Sequence, residues 1–340
     1  MNALRLLLAT MVVVSHSWQL GGYGPQPQVG GVALGTWSVC GFFVISGYLI
    51  TRSRLSGRPA IEFYWARFLR IFPAFIVCLL VIAFVAAPLS TAIGPGQYSL
   101  VDAIGYVYHN LFLYPPVYGQ QSIGDTLNTV PFANNWDGPL WTLFYEAACY
   151  VFIGIFVSVI RRRYLATSLT ISFIVVTIAA SAFYSRSLAV NELVVIAAPL
   201  LVAFLAGGVV YLCGNHINAG PVMVVLAIAA LALATASGFA VTLAPLPLAF
   251  LIVKLGNVLP LQKVGSRYDI SYGIYIYGCV VQQLLALIFP GGAISVWAFV
   301  SLSILITVPL AFLSSALIEK PALTLKTRVP QLREPAAAPA

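Results

Sequence analysis

Arg5 and His16 interrupt the run N-A-L-R-L-L-L-A-T-M-V-V-V-S-H-S-W-Q-L, which is otherwise apolar over Asn2 to Leu20. Eleven residues separate them, three helical turns with about 20° left over, so on a helix they share one face roughly 16 Å apart along the axis. Ionisable groups inside a membrane span are costly and face a bundle interior or a wet cavity. An imidazole there can take a proton from a hydroxyl, and a guanidinium can hold an anion. The alternative is an Arg5 that snorkels to the interface and a His16 that packs through one hydrogen bond.

Two further groups have the types needed for chemistry. Arg67 and Arg70, in E-F-Y-W-A-R-F-L-R-I-F-P-A, are three residues apart and share a helical face. Two forked sets of donors so placed suit a phosphate-bearing ligand, although simple positive-inside anchoring gives the same pattern. Glu146, in N-N-W-D-G-P-L-W-T-L-F-Y-E-A-A-C-Y, lies seven residues past Pro139, roughly 10 Å below the outer surface on a helix. His16 lies four residues before Leu20, roughly 6 Å below that surface. Similar depths predict a carboxylate beside an imidazole, a pair that supports a base which becomes positive during reaction. A structural ion pair or a proton relay are the other readings of Glu146.

Trp136, Asp137, Trp141 and Tyr145 border Glu146 and suit a sugar-like acceptor, though an interfacial aromatic belt explains them equally well. Ser271, Tyr272 and Tyr275 make a hydroxyl stripe beside Asp269; Tyr272 and Tyr275 join the candidate substrate-binding set, with helix-to-helix glue as the alternative. Pro73 marks a first turn or a bend.

The elements that must position these residues are membrane helices. The 340 residues are 61% hydrophobic and 8% charged, far from the quarter charged of soluble domains. Mean hydropathy is +0.97. The apolar runs are helix-length and lack the alternation of a transmembrane barrel, so the fold class is all-α, a polytopic membrane helix bundle. Ten spans of about 20 residues fit: 3–20, 32–51, 71–88, 139–160, 164–184, 192–213, 221–238, 240–253, 268–289 and 293–317. With both termini cytoplasmic, sixteen of the seventeen Lys and Arg lie on the inner side and only Arg186 lies outside. The same bias explains a pI of 9.3 without nucleic acid. One transmembrane domain is expected over 1–327, with a large periplasmic loop at 89–138 and a disordered cytoplasmic tail at 328–340. Within the loop, Val101 to Leu113 is expected as an interfacial helix with His109 at its surface. The five cysteines fall in apolar runs and read as free core residues. No metal-ligand spacing is present, and no cleavable signal peptide is evident.

Together these stretches resemble the acyltransferase 3 family. The matching pieces are R-x10-H from Arg5 to His16, F-F-V-I-S-G-Y-L-I at 42–50, R-F-L-R-I-F-P at 67–73, L-W-T-L-F-Y-E-A-A-C-Y at 140–150, D-I-S-Y-G-I-Y-I-Y-G at 269–278 and I-E-K-P-A-L at 318–323. The resemblance covers nearly the whole chain. It implies an O-acyltransferase of the bacterial inner membrane that moves an acyl group, commonly acetyl from acetyl-CoA, to a polysaccharide or lipid-linked glycan, as in O-antigen or exopolysaccharide modification. By position it implies His16 as the catalytic histidine, Glu146 as the acidic residue of the W-x-L-x-x-E motif, and Arg5, Arg67 and Arg70 as the functional arginines that meet acyl-CoA. Many members have histidine where this chain has Gly278, so no chemistry is carried over there. Whether His16 acts as a base or carries the acyl group is open in the sequence. The rival class is a proton-coupled secondary transporter with His16 and Glu146 as relay.

Overall fold

A computed structural model describes residues 1–115, 119–185, 191–214, 220–261 and 263–328. Arg186 and all but the first residue of the expected tail lie outside the described residues. The longer helices among the described residues are α1 (Asn2–Leu20), α2 (Leu34–Arg54), α3 (Ala60–Ile93), α4 (Leu100–Asn110), α5 (Thr142–Val159), α6 (Leu165–Tyr184), α7 (Glu192–Cys213), α8 (Pro221–Ala236), α9 (Pro245–Val258), α10 (Ser271–Ile288) and α11 (Val296–Thr324). Among the described residues eight helices are long and apolar enough to cross a membrane, and α8 and α9 are shorter apolar helices. The protein is an all-α, polytopic membrane bundle.

Two boundaries differ from the sequence reading, both at prolines. The helix expected from residue 71 begins at Ala60, and Pro73 sits inside it, at neither a first turn nor a helix end. An interior proline gives up one backbone bond, which a packed membrane bundle tolerates. Arg67 and Arg70 are therefore fixed on a continuous helix. The span expected at 240–253 is a single turn, Ala240–Leu243, followed by α9. Pro245 stands in the first turn of α9, where its missing N–H costs nothing.

The centre of the bundle is α10, which is 83% buried, whereas α6 is 22% buried and faces outward. Two glycines bring α2 against α7: a Cβ on Gly47 would collide with the Phe204 carbonyl, and one on Gly207 with the Val44 carbonyl. Two π turns interrupt long helices, Ile82–Ala86 in α3 and Ser315–Glu319 in α11. The second carries Glu319 inward, where it is 3% exposed.

The segment between α3 and α5 is a folded cover. The α4 helix spans Leu100–Asn110, close to the helix expected there, and His109 is exposed. Asp102 Oδ2 accepts from the Gly124 N–H at 3.1 Å, Asn110 Nδ2 donates to the Gln120 carbonyl at 2.8 Å, and Trp136 Nε1 donates to Thr126 Oγ1 at 3.1 Å. Ile123, Leu127 and Trp136 are buried beneath it. A second, small cover follows α1, where a two-stranded antiparallel hairpin pairs Gln28 with Ala33 and Val29 with Val32.

Candidate active site

Three cavities lie in series through the bundle. The first, about 710 Å³, is lined by His16, Gln26, Gln121, Asn135, Trp141 and Tyr275 among others. The second, about 40 Å³, shares Val39, Thr142 and Tyr275 with the first and adds Arg5, Glu146 and Tyr272. The third, about 50 Å³, shares Arg5, Glu146 and Tyr272 with the second and adds Arg67, Arg70 and Tyr150. The two small spaces hold little more than a water each, given about 30 Å³ per molecule in the liquid. The partition between the first and second carries the Tyr275–Thr142 hydroxyl contact at 2.5 Å, and the Tyr275 hydroxyl also donates to the Pro139 carbonyl at 3.0 Å.

His16 stands in the wall of the large cavity. Its Nδ1 is 3.2 Å from Gln26 Nε2, and that amide also meets Gln19 Oε1 at 2.9 Å and accepts from Ser15 Oγ at 2.9 Å. Ser15 in turn accepts from the Gly35 N–H at 2.8 Å. The loop after α1 thus folds back over its last turns and fixes the imidazole. With the amide in this orientation Nδ1 accepts and Nε2 carries the proton; exchanging the amide's oxygen and nitrogen reverses the tautomer and frees Nε2 as a base.

The expected carboxylate–imidazole pair is not formed. Glu146 Oε1 accepts from Ser46 Oγ at 2.8 Å and from the Tyr150 hydroxyl at 2.5 Å, and it borders the two small cavities beside Arg5. Counting residues from Pro139 treated the start of that helix as the outer surface. Asp137 just before it is 0% exposed and Leu140 is buried too, so the helix starts beneath the cover and Glu146 lies deeper than the count implied.

Around the third cavity the charges are cross-paired. Asp269 Oδ2 meets Arg5 Nη1 at 3.0 Å and Arg70 Nη2 at 2.5 Å, and Arg70 Nη1 lies 3.6 Å from Glu319. Asp269 Oδ1 accepts from the Ser271 hydroxyl at 2.6 Å and from its N–H at 3.2 Å. Burial opposes ionisation of Asp269, but Arg5, Arg70 and Ser271 together outweigh it and hold the carboxyl down at about 2. Arg67 differs: among the described residues it makes no ion pair, and its buried Nε has no partner. Burial lowers the Lys326 ammonium, and the neighbouring Arg67, Arg70 and Arg58 lower it further.

The expected substrate-binding residues divide. Trp141 and Tyr275 line the large cavity, and Tyr272 lines both small ones. Tyr272 also donates to the Ile71 carbonyl at 3.0 Å, so the hydroxyl stripe ties helices together as well as lining space. Trp136 is buried in the cover. Asp137 is sealed there too, both its oxygens unpartnered, and burial pushes its carboxyl well up. Tyr145 lines a separate apolar groove of about 520 Å³ between α5, α6 and α7, touching Trp141 edge-on at 5.5 Å.

Such an arrangement offers a roomy, mostly apolar chamber carrying one histidine and a few amides and hydroxyls and, beyond a hydroxyl partition, two water-sized spaces, the last bordered by arginines. A family model described as an acyltransferase domain, Acyl_transf_3, matches residues 1–316. The chain belongs to the acyltransferase 3 family. It is an O-acyltransferase embedded in a membrane by several helices. Two curated relatives agree. An O-acetyl transferase of Shigella phage Sf6 is 26% identical over 83% of this chain and 84% of its own. Nodulation protein 10 of Rhizobium leguminosarum bv. viciae is 28% identical over 96% of this chain and 93% of its own. No solved structure matches the chain.

Within this acyltransferase 3 chain, several residues at the site escaped the sequence reading. Gln26 and Ser15 gave no signal, because a loop glutamine and a helix serine are ordinary. Ser46 and Tyr150 sit in quoted motifs without an ionisable group to mark them. Glu319 was visible only as part of I-E-K-P-A-L, and its approach to Arg70 depends on a π turn that sequence periodicity does not reveal.

Proposed function

We propose that this O-acyltransferase takes an acyl group, most simply acetyl, from cytoplasmic acyl-CoA and delivers it to a hydroxyl of a cell-surface carbohydrate or its lipid-linked precursor, in the bacterial cytoplasmic membrane. The observation that carries the reading is the series of three cavities with shared walls, running from Arg67 and Arg70 to His16. The acceptor occupies the large cavity, whose volume lies within the about 300–1,000 Å³ of small-molecule sites. Donor phosphates meet Arg67, whose guanidinium has no ion pair among the described residues, and compete with Asp269 for Arg70 and Arg5. That exchange loosens the charge cluster and widens the passage for the pantetheine arm.

In the transfer step His16 takes the acceptor's hydroxyl proton as the oxygen attacks the thioester carbonyl. The carbon–sulfur bond breaks, and the thiolate leaves with the proton from the imidazolium. A positioned base of this kind contributes about 10²–10⁴ in rate. Glu146, held by Ser46 and Tyr150 beside Arg5, sets the field along the passage and does not orient the imidazole. Gln26 takes the orienting role.

The test is mass spectrometry of surface glycans from a deletion strain complemented with wild type or with His16→Ala. Acylation is expected only with wild type; its return with the alanine variant would remove His16 from the reaction.

A further inference from the structure

Three residues, Val39, Thr142 and Tyr275, border both the large cavity and the first small space beyond it. A thioester arriving from the arginine side and an acceptor hydroxyl in the large cavity meet at this common wall. The carbonyl under attack therefore lies against these three side chains. Val39 has nothing to donate, which leaves two hydroxyls. Tyr275 comes from α10 and Thr142 opens α5; both are buried, and the Phe42 ring packs edge-on against Tyr275 at 5.8 Å.

The two hydroxyls share one acceptor. Tyr275 Oη lies 3.0 Å from the Pro139 carbonyl, Thr142 Oγ1 lies 3.1 Å from it, and the hydroxyls are 2.5 Å from each other. The same carbonyl accepts from the Thr142 N–H. With Thr142 donating through both groups, the carbonyl needs nothing from Tyr275. The phenol can turn to a ligand's oxygen without leaving a buried acceptor unmet, which is the usual cost of breaking such a bond. Thr142, bonded to a carbonyl of its own turn, stays in place. A phenol is also the more acidic of the two hydroxyls, hence the stronger donor.

We propose that Tyr275 is a catalytic residue that donates a hydrogen bond to the thioester carbonyl oxygen while negative charge builds there. That role rests on acyl-CoA being the donor and on the large cavity holding the acceptor. As the acceptor oxygen bonds to the carbonyl carbon, the C=O electron pair moves onto the oxygen that Tyr275 holds. When the pair returns, the carbon–sulfur bond breaks, and the thiolate takes the proton that His16 removed from the acceptor. Tyr275 keeps its own proton throughout. Turning it from Thr142 also parts the hydroxyl partition, so entry of the thioester and placement of the donor are one event.

The test follows transfer from radiolabelled acetyl-CoA by purified enzyme to glycan, free and lipid-linked, extracted from the deletion strain. Tyr275→Phe should lower kcat by about 10²–10³, the cost of one such donor, with KM for acetyl-CoA within about threefold of wild type. Thr142→Val breaks the same hydroxyl contact but keeps the phenol, and should lower kcat by less than about tenfold. A smaller loss in Tyr275→Phe, a loss taken up in KM, or equal losses in both variants would overturn the assignment, the last marking the contact as a structural tie. Should Tyr275→Phe fail to fold, 3-fluorotyrosine at position 275 keeps the shape and strengthens the donor; kcat should then rise, and an unchanged or lower value overturns the role. Wild-type transfer that Tyr275→Phe leaves intact removes Tyr275 alone, whereas no wild-type transfer from acetyl-CoA overturns the donor reading and this role with it.

Discussion

The two ends of the passage solve the burial of polar groups in opposite ways. At the arginine end, Asp269 pairs with both Arg5 and Arg70, Arg70 also approaches Glu319 at 3.6 Å, and the neighbouring space is water-sized. At the histidine end the walls carry amides, hydroxyls and one imidazole, and the space is more than tenfold larger. Asp137, sealed in the cover near that end, has no hydrogen-bond partner among the described residues, and burial pushes its carboxyl well above the usual carboxylate range. Charge is kept where opposite charges meet, and is avoided around the imidazole. The comparison teaches that one end is closed by ion pairs and the other is already open.

The largest expected effect is at the open end. His16→Ala should lower transfer by about 10²–10⁴ while leaving stability nearly unchanged, measured as acyl transfer by purified enzyme alongside a melting curve. Equal activity in the variant would erase the functional difference between the two ends.

At the charged end, Asp269→Asn leaves two guanidinium groups without their shared carboxylate, and a loss of about 3 kcal/mol in unfolding free energy in detergent is expected. The pH dependence has a definite sign. The folded carboxyl sits at about 2, below its ordinary 3.8, so its stabilisation is complete above pH 4 and is lost as the pH falls from 4 towards 2. Wild type should lose stability in that window and Asp269→Asn should not.

Arg67 sharpens the contrast within the charged end, since among the described residues it has no ion-pair partner to lose. Arg67→Ala should raise KM for acyl-CoA about tenfold at little cost in stability, about 1.4 kcal/mol of donor binding. A fall in melting temperature matching that of Asp269→Asn would mean that Arg67 is structural.

The smallest effect is expected from Asp137→Asn, and it runs the other way. A carboxyl raised by burial opposes folding increasingly as the pH climbs above its unfolded value near 3.8. Asparagine removes that penalty, so the variant should be more stable by about 1 kcal/mol at pH 7 and unchanged near pH 3.

Much of the bundle was legible beforehand because membrane spans announce themselves by length and composition. The runs over 3–20 and 192–213 match α1 and α7 to within a residue or so. Pro73 misled the third helix, because proline is read as a boundary while a packed bundle supplies what the helix loses. Arg5 and His16 lie on one helix, as expected, but line different cavities, His16 the large one and Arg5 the two small ones. His16 and Glu146 were wrongly matched in depth, because they belong to different helices whose levels no local rule relates.

The sequence by itself therefore determined the membrane class and the groups that share a helix, both consequences of backbone periodicity and the cost of burying charge in lipid. The tertiary structure alone decided which groups from different helices meet: Asp269 with Arg5 and Arg70, Gln26 with His16, and Glu146 with Ser46 and Tyr150. Those meetings depend on helix offset, π turns and the folded cover, which arise from packing over distances that one-dimensional periodicity does not encode.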